Sequence, residues 1–203
     1  MNNEDLYWLA FSFVRGIGAV RFRKLLHFFG ALSRAWTADK AELITAGLTD
    51  KAADLVLETR KVLDVKKIQT ELSNKGIQYL TWNSHGYPKY LQEISQPPPI
   101  LYYKGTITTA DDLAIAIVGT RNVTKYGKQI TKDTAAYLAG NGITVVSGLA
   151  RGVDGIAHRA ALETGGRTLA VLGSGVDVIY PPEHRQLANE IMKSGAIISD
   201  YPP

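Results

Sequence analysis

The chain has 203 residues, is 45% hydrophobic and 21% charged as globular proteins are, and has no apolar run near the roughly 18 residues of a membrane span. Having no cysteine, it cannot form disulfides, thiolate metal sites or a thiol nucleophile; Met1-Asn2-Asn3-Glu4-Asp5 lacks the basic stretch that opens a signal peptide, so a cytoplasmic setting and no membrane contact are expected. The formal net charge of +4 only inclines the chain toward anionic partners, so where the charge sits matters more.

Residues 1–75 carry apolar positions at helical spacing, at Leu6, Leu9, Ala10 and Phe13, at Val20, Leu25, Leu26 and Phe29, and at Ala52, Leu55, Val56 and Leu63. Four or five short helices are expected, broken at Gly16-Ile17-Gly18, at Gly30 and at Gly47-Leu48-Thr49-Asp50. The stretch from Ser12 to Trp36 holds Arg15, Arg21, Arg23, Lys24 and Arg34 with no acid. A turn of this kind suits contact with a nucleic-acid backbone, and equally an ordinary basic helix turn. Residues 76–112 read as a connector, with a short strand from Ile77 to Trp82, then Pro88 and Pro97-Pro98-Pro99, which cannot continue hydrogen-bonded structure.

From 113 to 203 short apolar runs alternate with amphipathic helices. Strands are expected near 113–118, 143–147, 168–172 and 196–199, with another near 100–103, and helices near 124–139, 153–164 and 183–194. Near-continuous apolar strands between helices imply a parallel sheet covered on both faces, hence an α/β, Rossmann-like doubly wound fold. Such sheets usually have five or six strands, so the chain is expected to continue beyond Pro203 in the intact protein.

Two strand-to-helix loops carry the chemistry. Gly119-Thr120-Arg121 follows Ile115-Ala116-Ile117-Val118; Gly119 lets backbone approach a phosphate, Thr120 offers a hydroxyl and Arg121 a forked charge-assisted donor. Lys125, Lys128 and Lys132 follow without an acid, either as an extension of this surface or as a solvated helix face. The second loop runs from Ser147 through Gly148 and Arg151 to Gly152, so backbone N–H groups and a fixed positive charge point to an anion. Asp154 and His158 read as a helix cap and a satisfied histidine, with an acid–base dyad as the alternative. Gly173-Ser174-Gly175 after the third strand offers further N–H groups to the same rim. With strands in the order 3-2-1-4, a crevice would open beside Gly119-Thr120-Arg121, with Asp200 and Tyr201 on its other lip.

Several chemistries are excluded. The first loop is not Gly-x-Gly-x-x-Gly, the second strand ends without a ribose-binding acid, and no P-loop or Gly-x-Ser-x-Gly elbow is present. His27, His85 and His184 lack partners at ligand spacing, so no metal is expected; a cofactor and a catalytic residue are not expected either.

Ala116-Ile117-Val118-Gly119-Thr120-Arg121, the run from Val146 to His158, and Ala170-Val171-Leu172-Gly173-Ser174-Gly175-Val176-Asp177 with Tyr180-Pro181 together resemble the DNA-processing protein A (DprA, Smf) family. Tyr87-Pro88-Lys89-Tyr90-Leu91 and the segment from Pro99 to Gly105 are similar to the family's lead-in, and residues 1–75 to its SAM-like or helix-hairpin-helix domain. The resemblance implies a non-enzymatic protein of natural transformation that binds single-stranded DNA, helps load the RecA recombinase and forms a homodimer when full length. It places DNA on Arg121, Ser147, Gly148, Arg151, Gly173, Ser174 and Gly175. Bases stacking on Tyr126 or Tyr201 would suit sequence-tolerant binding. The alternatives are an enzyme of the lysine-decarboxylase-like group that hydrolyses nucleoside monophosphates, whose Pro-Gly-Gly-x-Gly-Thr-x-x-Glu loop is missing here, and a small-nucleotide sensor.

Overall fold

Polar caps and left-handed glycines cut the first hundred residues into short helices. They are α1 (Asp5–Ser12), α2 (Ala19–Phe29), α3 (Leu32–Thr37), α4 (Lys40–Thr45), α5 (Asp50–Val62) and α6 (Val65–Asn74), followed by β1 (Gln78–Thr81) and the single turn α7 (Lys89–Gln92). Gly30 ends α2 at φ +73°, its N–H donating to Leu26 O, a conformation that costs glycine nothing. Among the described residues six helices stand before residue 75 instead of four or five. Asp39 and Glu42 form a capping box that starts the six-residue α4, too short to leave a periodic signal.

The computed structural model describes residues 4–203 and divides the chain after Leu101. In the first unit an aromatic cluster fills the core: Trp8 stacks on Phe22 with centroids 5.5 Å apart, and Phe11 meets Trp36 edge-on at 5.0 Å. Trp8, Phe11 and Phe22 are almost wholly buried, each worth about 2–3 kcal/mol of apolar burial.

The second unit, Tyr102–Pro203, is built on most of β2 (Ile100–Gly105) and on β3 (Ala114–Ala116), β4 (Thr144–Ser147), β5 (Thr168–Val171) and β6 (Ala196–Ser199). Between the last four strands run α8 (Lys125–Gly140), α9 (Val153–Glu163) and α10 (Arg185–Ser194). The α/β class is the expected one. Strands β3 to β6 are parallel, in register from Ala116 opposite Val146 through Ser147 opposite Ala170 to Val171 opposite Ile198, and β2 pairs antiparallel with β6.

The strand order corrects the expectation. Within the second unit the strands run β2-β6-β5-β4-β3, so the parallel strands lie in chain order rather than as 3-2-1-4. Every crossover steps the same way, and right-handed crossovers then set α8, α9 and α10 side by side, as the packing of α8 on α9 and of α9 on α10 shows. Among the described residues no strand order reverses beside Gly119, and Asp200 and Tyr201 follow the strand two places away from β4, not a neighbour of β3. A cleft here must come from the loops of adjacent strands instead.

Candidate functional site

Ile117 prolongs the β3 ladder by donating to Val146 O at 2.9 Å, and the chain then turns through Gly119-Thr120-Arg121. Thr120 Oγ1 accepts the N–H of Asn122 at 3.1 Å, and Thr124 Oγ1 caps α8 by accepting from Gly127 at 3.1 Å. At the end of β4, Asp154 Oδ2 accepts the N–H groups of Gly148 and Ala150 at 3.2 and 3.3 Å. Leu149 between them is fully buried in a left-handed conformation, φ +59°, which this bonding stabilises.

The two loops are joined backbone to backbone. Val153 donates to Thr120 O at 3.2 Å, and Gly152, at φ +81°, lies so close that a Cβ there would sit 2.3 Å from Thr120 O. Only glycine permits that approach. Beside this junction is a cleft of about 640 Å³ lined by Arg121, Asn122, Thr124, Lys128, Gly152, Gly155, Ile156, Arg159 and His184. Among the described residues neither Arg121 nor Lys128 has a carboxylate partner, whereas Lys132 is paired with Glu163 at 3.2 Å. The cleft is therefore cationic and carries uncompensated charge.

The expected site residues separate into groups. Arg121 and Gly152 line the cleft, and Gly119 and Thr120 belong to the same turn. Lys125 is exposed in the first turn of α8, outside the lining. Ser147 is buried and its hydroxyl donates to Ile117 O at 2.6 Å, so it serves the sheet, and the Gly148 N–H points at Asp154 rather than outward. Arg151 is exposed but its Nε holds Glu183 Oε1 at 2.5 Å; the side-chain bond to Arg151 keeps the Glu183 carboxyl below its usual range and raises the arginine. Ser174 donates to Val178 O at 2.9 Å, and Gly175 packs against Pro202 and Pro203; with Gly173 they stand away from the cleft lining. Tyr126 and Tyr201 are 77% and 53% exposed, again outside the lining.

No dyad forms between Asp154 and His158. The His158 ring is fully buried, with Nδ1 on Thr168 Oγ1 at 2.7 Å; since that hydroxyl donates to Val145 O, Nδ1 carries the proton. Burial, reinforced by the nearby His184 and Arg159, lowers its pKa to about 3. Sequence reasoning missed Asn122, Val123, Thr124 and Ile156 of the lining and, more consequentially, Arg159 and His184, whose separation in the chain leaves no local signal. In the first unit, Arg21 bonds Gly16 O, Lys24 Nζ donates to Gly47 O at 3.2 Å, and Arg23 donates to Ser95 O at 2.7 Å, so these basic side chains brace their own backbone.

Residues 78–203 match the family described as DNA recombination-mediator protein A. The chain belongs to that family. Over 99% of its length it is 40% identical to Protein Smf of Synechocystis, of which it covers 52%, and over 85% of its length it is 34% identical to DNA processing protein DprA of Bacillus subtilis, of which it covers 61%. This family member thus spans about half the length of the curated relatives it matches. The crystal structure of DprA from Streptococcus pneumoniae superposes on all of it with a TM-score of 0.77 at 28% identity, over 69% of that chain. DNA processing protein A from Helicobacter pylori, described for its single-stranded DNA binding mode, matches 62% of the chain at 39% identity and a TM-score of 0.54, over 57% of its own length. Among the described residues of this DprA/Smf protein no helix is long and apolar enough to cross a membrane.

Proposed function

We propose that this protein binds single-stranded DNA without sequence preference and without cleaving it, through the cleft between the β3–α8 and β4–α9 loops. The observation that carries this reading is the pair of unneutralised cations, Arg121 and Lys128, in a cleft whose wall is fixed by the Val153–Thr120 bond. A guanidinium and an ammonium over exposed backbone engage phosphates, which are common to every sequence. The single-stranded DNA binding of the Helicobacter pylori relative supports the choice of ligand. In the cell the bound strand would be passed to RecA during natural transformation, as the family resemblance implies, with a homodimer of the longer protein as the working form.

The test is a salt-titrated gel shift of oligothymidine and duplex DNA. Arg121→Ala is expected to weaken single-strand binding about 10-fold, alike on all sequences, and Lys128→Ala to a smaller extent. The dependence of log K on log salt should become shallower by about 0.7 for each phosphate that is no longer neutralised. An unchanged affinity and salt slope in the double variant would overturn the reading.

A further inference from the structure

Arg159 enters the cleft from the middle of α9 with its charge uncompensated. The acids around it are engaged elsewhere: Asp154 accepts the Gly148 and Ala150 N–H groups, Glu163, one turn further along α9, pairs with Lys132 at 3.2 Å, Glu183 with Arg151 at 2.5 Å and Glu190 with Lys193 at 2.7 Å. Arg159 is held by a neutral group instead. Its Nη2 lies 3.1 Å from His184 Nε2, supplemented by a long bond of 3.4 Å from Nη1 to Gly155 O.

The orientation of His184 is set from its other side. Nδ1 lies 2.8 Å from Leu149 O, and since a carbonyl oxygen only accepts, Nδ1 carries the ring proton. Nε2 of the neutral ring therefore presents a lone pair, which the guanidinium of Arg159 fills as donor. The ring is 5% exposed and rests on Gly155, where a Cβ would lie 2.7 Å from its Cε1. A chain of bonds runs from Asp154 through the left-handed Leu149 to His184 and Arg159, and it ends on the same cleft as Arg121 and Lys128.

We propose that Arg159 is a phosphate-binding residue of the cleft and that His184 is the positioning residue that aims its guanidinium; this rests on the single-stranded DNA reading above. A guanidinium fixed on one edge by an imidazole keeps its remaining N–H groups for a phosphate, so little side-chain freedom is lost on binding. Arg159 thus adds a third cation to the two that carry the proposed function.

The experiment measures binding of an oligothymidine of about 20 nucleotides to the 203-residue chain across a salt series. Arg159→Ala is expected to weaken binding about 10-fold and to make the salt slope shallower by about 0.7. Arg159→Lys, which keeps the charge but loses the fork, should fall between it and the parent. His184→Phe should reproduce most of the Arg159→Ala loss and add nothing to it in the double variant. His184→Gln should restore binding, because a carboxamide can donate to Leu149 O and accept from Arg159. Should His184→Phe fail to fold, the Arg159 pair and His184→Gln carry the test. Unchanged binding in Arg159→Ala while Arg121→Ala is weakened would overturn this inference and leave the cleft reading standing. Unchanged binding in both removes the cleft reading and this inference with it. Additive losses in the Arg159→Ala/His184→Phe double variant would overturn the positioning role.

Discussion

Asp154 reaches back from the first turn of α9 to the Gly148 N–H, accepting it at 3.2 Å with the same oxygen that takes Ala150 at 3.3 Å. A carboxylate belonging to the protein thus occupies the place where a glycine loop would otherwise offer its amides to a ligand. The loop is shaped from within, and the cationic side chains at its margin are left to meet the outside.

Asp154→Ala leaves two loop N–H groups without their acceptor and removes the support of Leu149 at φ +59°. A loss of about 2 kcal/mol in urea unfolding is expected, with Asp154→Asn losing less because an oxygen acceptor remains. Equal losses in the two variants would mean that charge, not acceptance, holds the loop.

Gly152→Ala places a methyl group 2.3 Å from Thr120 O at a backbone angle of φ +81°. The β3–α8 and β4–α9 loops must then move apart, so the melting temperature should fall and the DNA affinity with it. Gly173→Ala, where a Cβ meets nothing within 4 Å, is the matched control and should change neither.

Much of this architecture is legible in the sequence. The apolar runs place every strand of the parallel ladder to within a few residues, and the glycine loops mark where those strands end. Strand order is not legible, because a strand–helix–strand segment carries no local signal for the side on which the next strand docks. For the same reason Arg159 and His184 cannot be paired from sequence, although the small residue at Gly155 is a trace of the ring packed on it. Ser147 and Gly148 look like ligand groups only while donors are counted without asking which internal acceptor takes them; Asp154, in the first helical turn, is that acceptor for Gly148, and Ile117 O is the one for Ser147.

His158 makes stability depend on pH. Its ring protonates near 6.5 when unfolded and only at about 3 when folded, since burial disfavours the cation. Between these values the unfolded chain binds more protons, so stability falls as the pH drops below about 6.5, by up to about 1.4 kcal/mol per pH unit. Urea unfolding at pH 5 should show a stability about 2 kcal/mol below that at pH 7.5. His158→Phe should flatten this difference; an undiminished slope in that variant would assign the effect elsewhere.

Arg167 clamps Asp111 with two bonds of 2.7 Å, from Nε and Nη2, and also donates to Thr106 O at 2.6 Å and to Ser194 O. Burial alone would raise the carboxyl of Asp111, but the bonds from Arg167, Thr108 and Thr144 hold it below its usual range. Arg167→Ala leaves this carboxylate, 8% exposed, without its cation and should cost about 3 kcal/mol. Arg167→Lys, which cannot make the fork, should recover only part of that, as read by chemical denaturation.

Glu183 holds Arg151 at 2.5 Å, yet both side chains are about half exposed, at 49% and 58%, so the pair adds little to folding. Its weight falls on binding: the carboxylate occupies the guanidinium that a phosphate would otherwise use, and it places a negative charge beside His184, which lines the cleft. Glu183→Gln keeps the shape and removes the charge, so affinity for oligothymidine should rise a few-fold while the unfolding midpoint stays where it is. The gain should vanish when Arg151 is also changed to Ala, because the freed guanidinium is then gone. A gain that persists in the Arg151→Ala background would instead trace to the general loss of a negative charge near the cleft, and raising the salt concentration would erase it for both backgrounds alike.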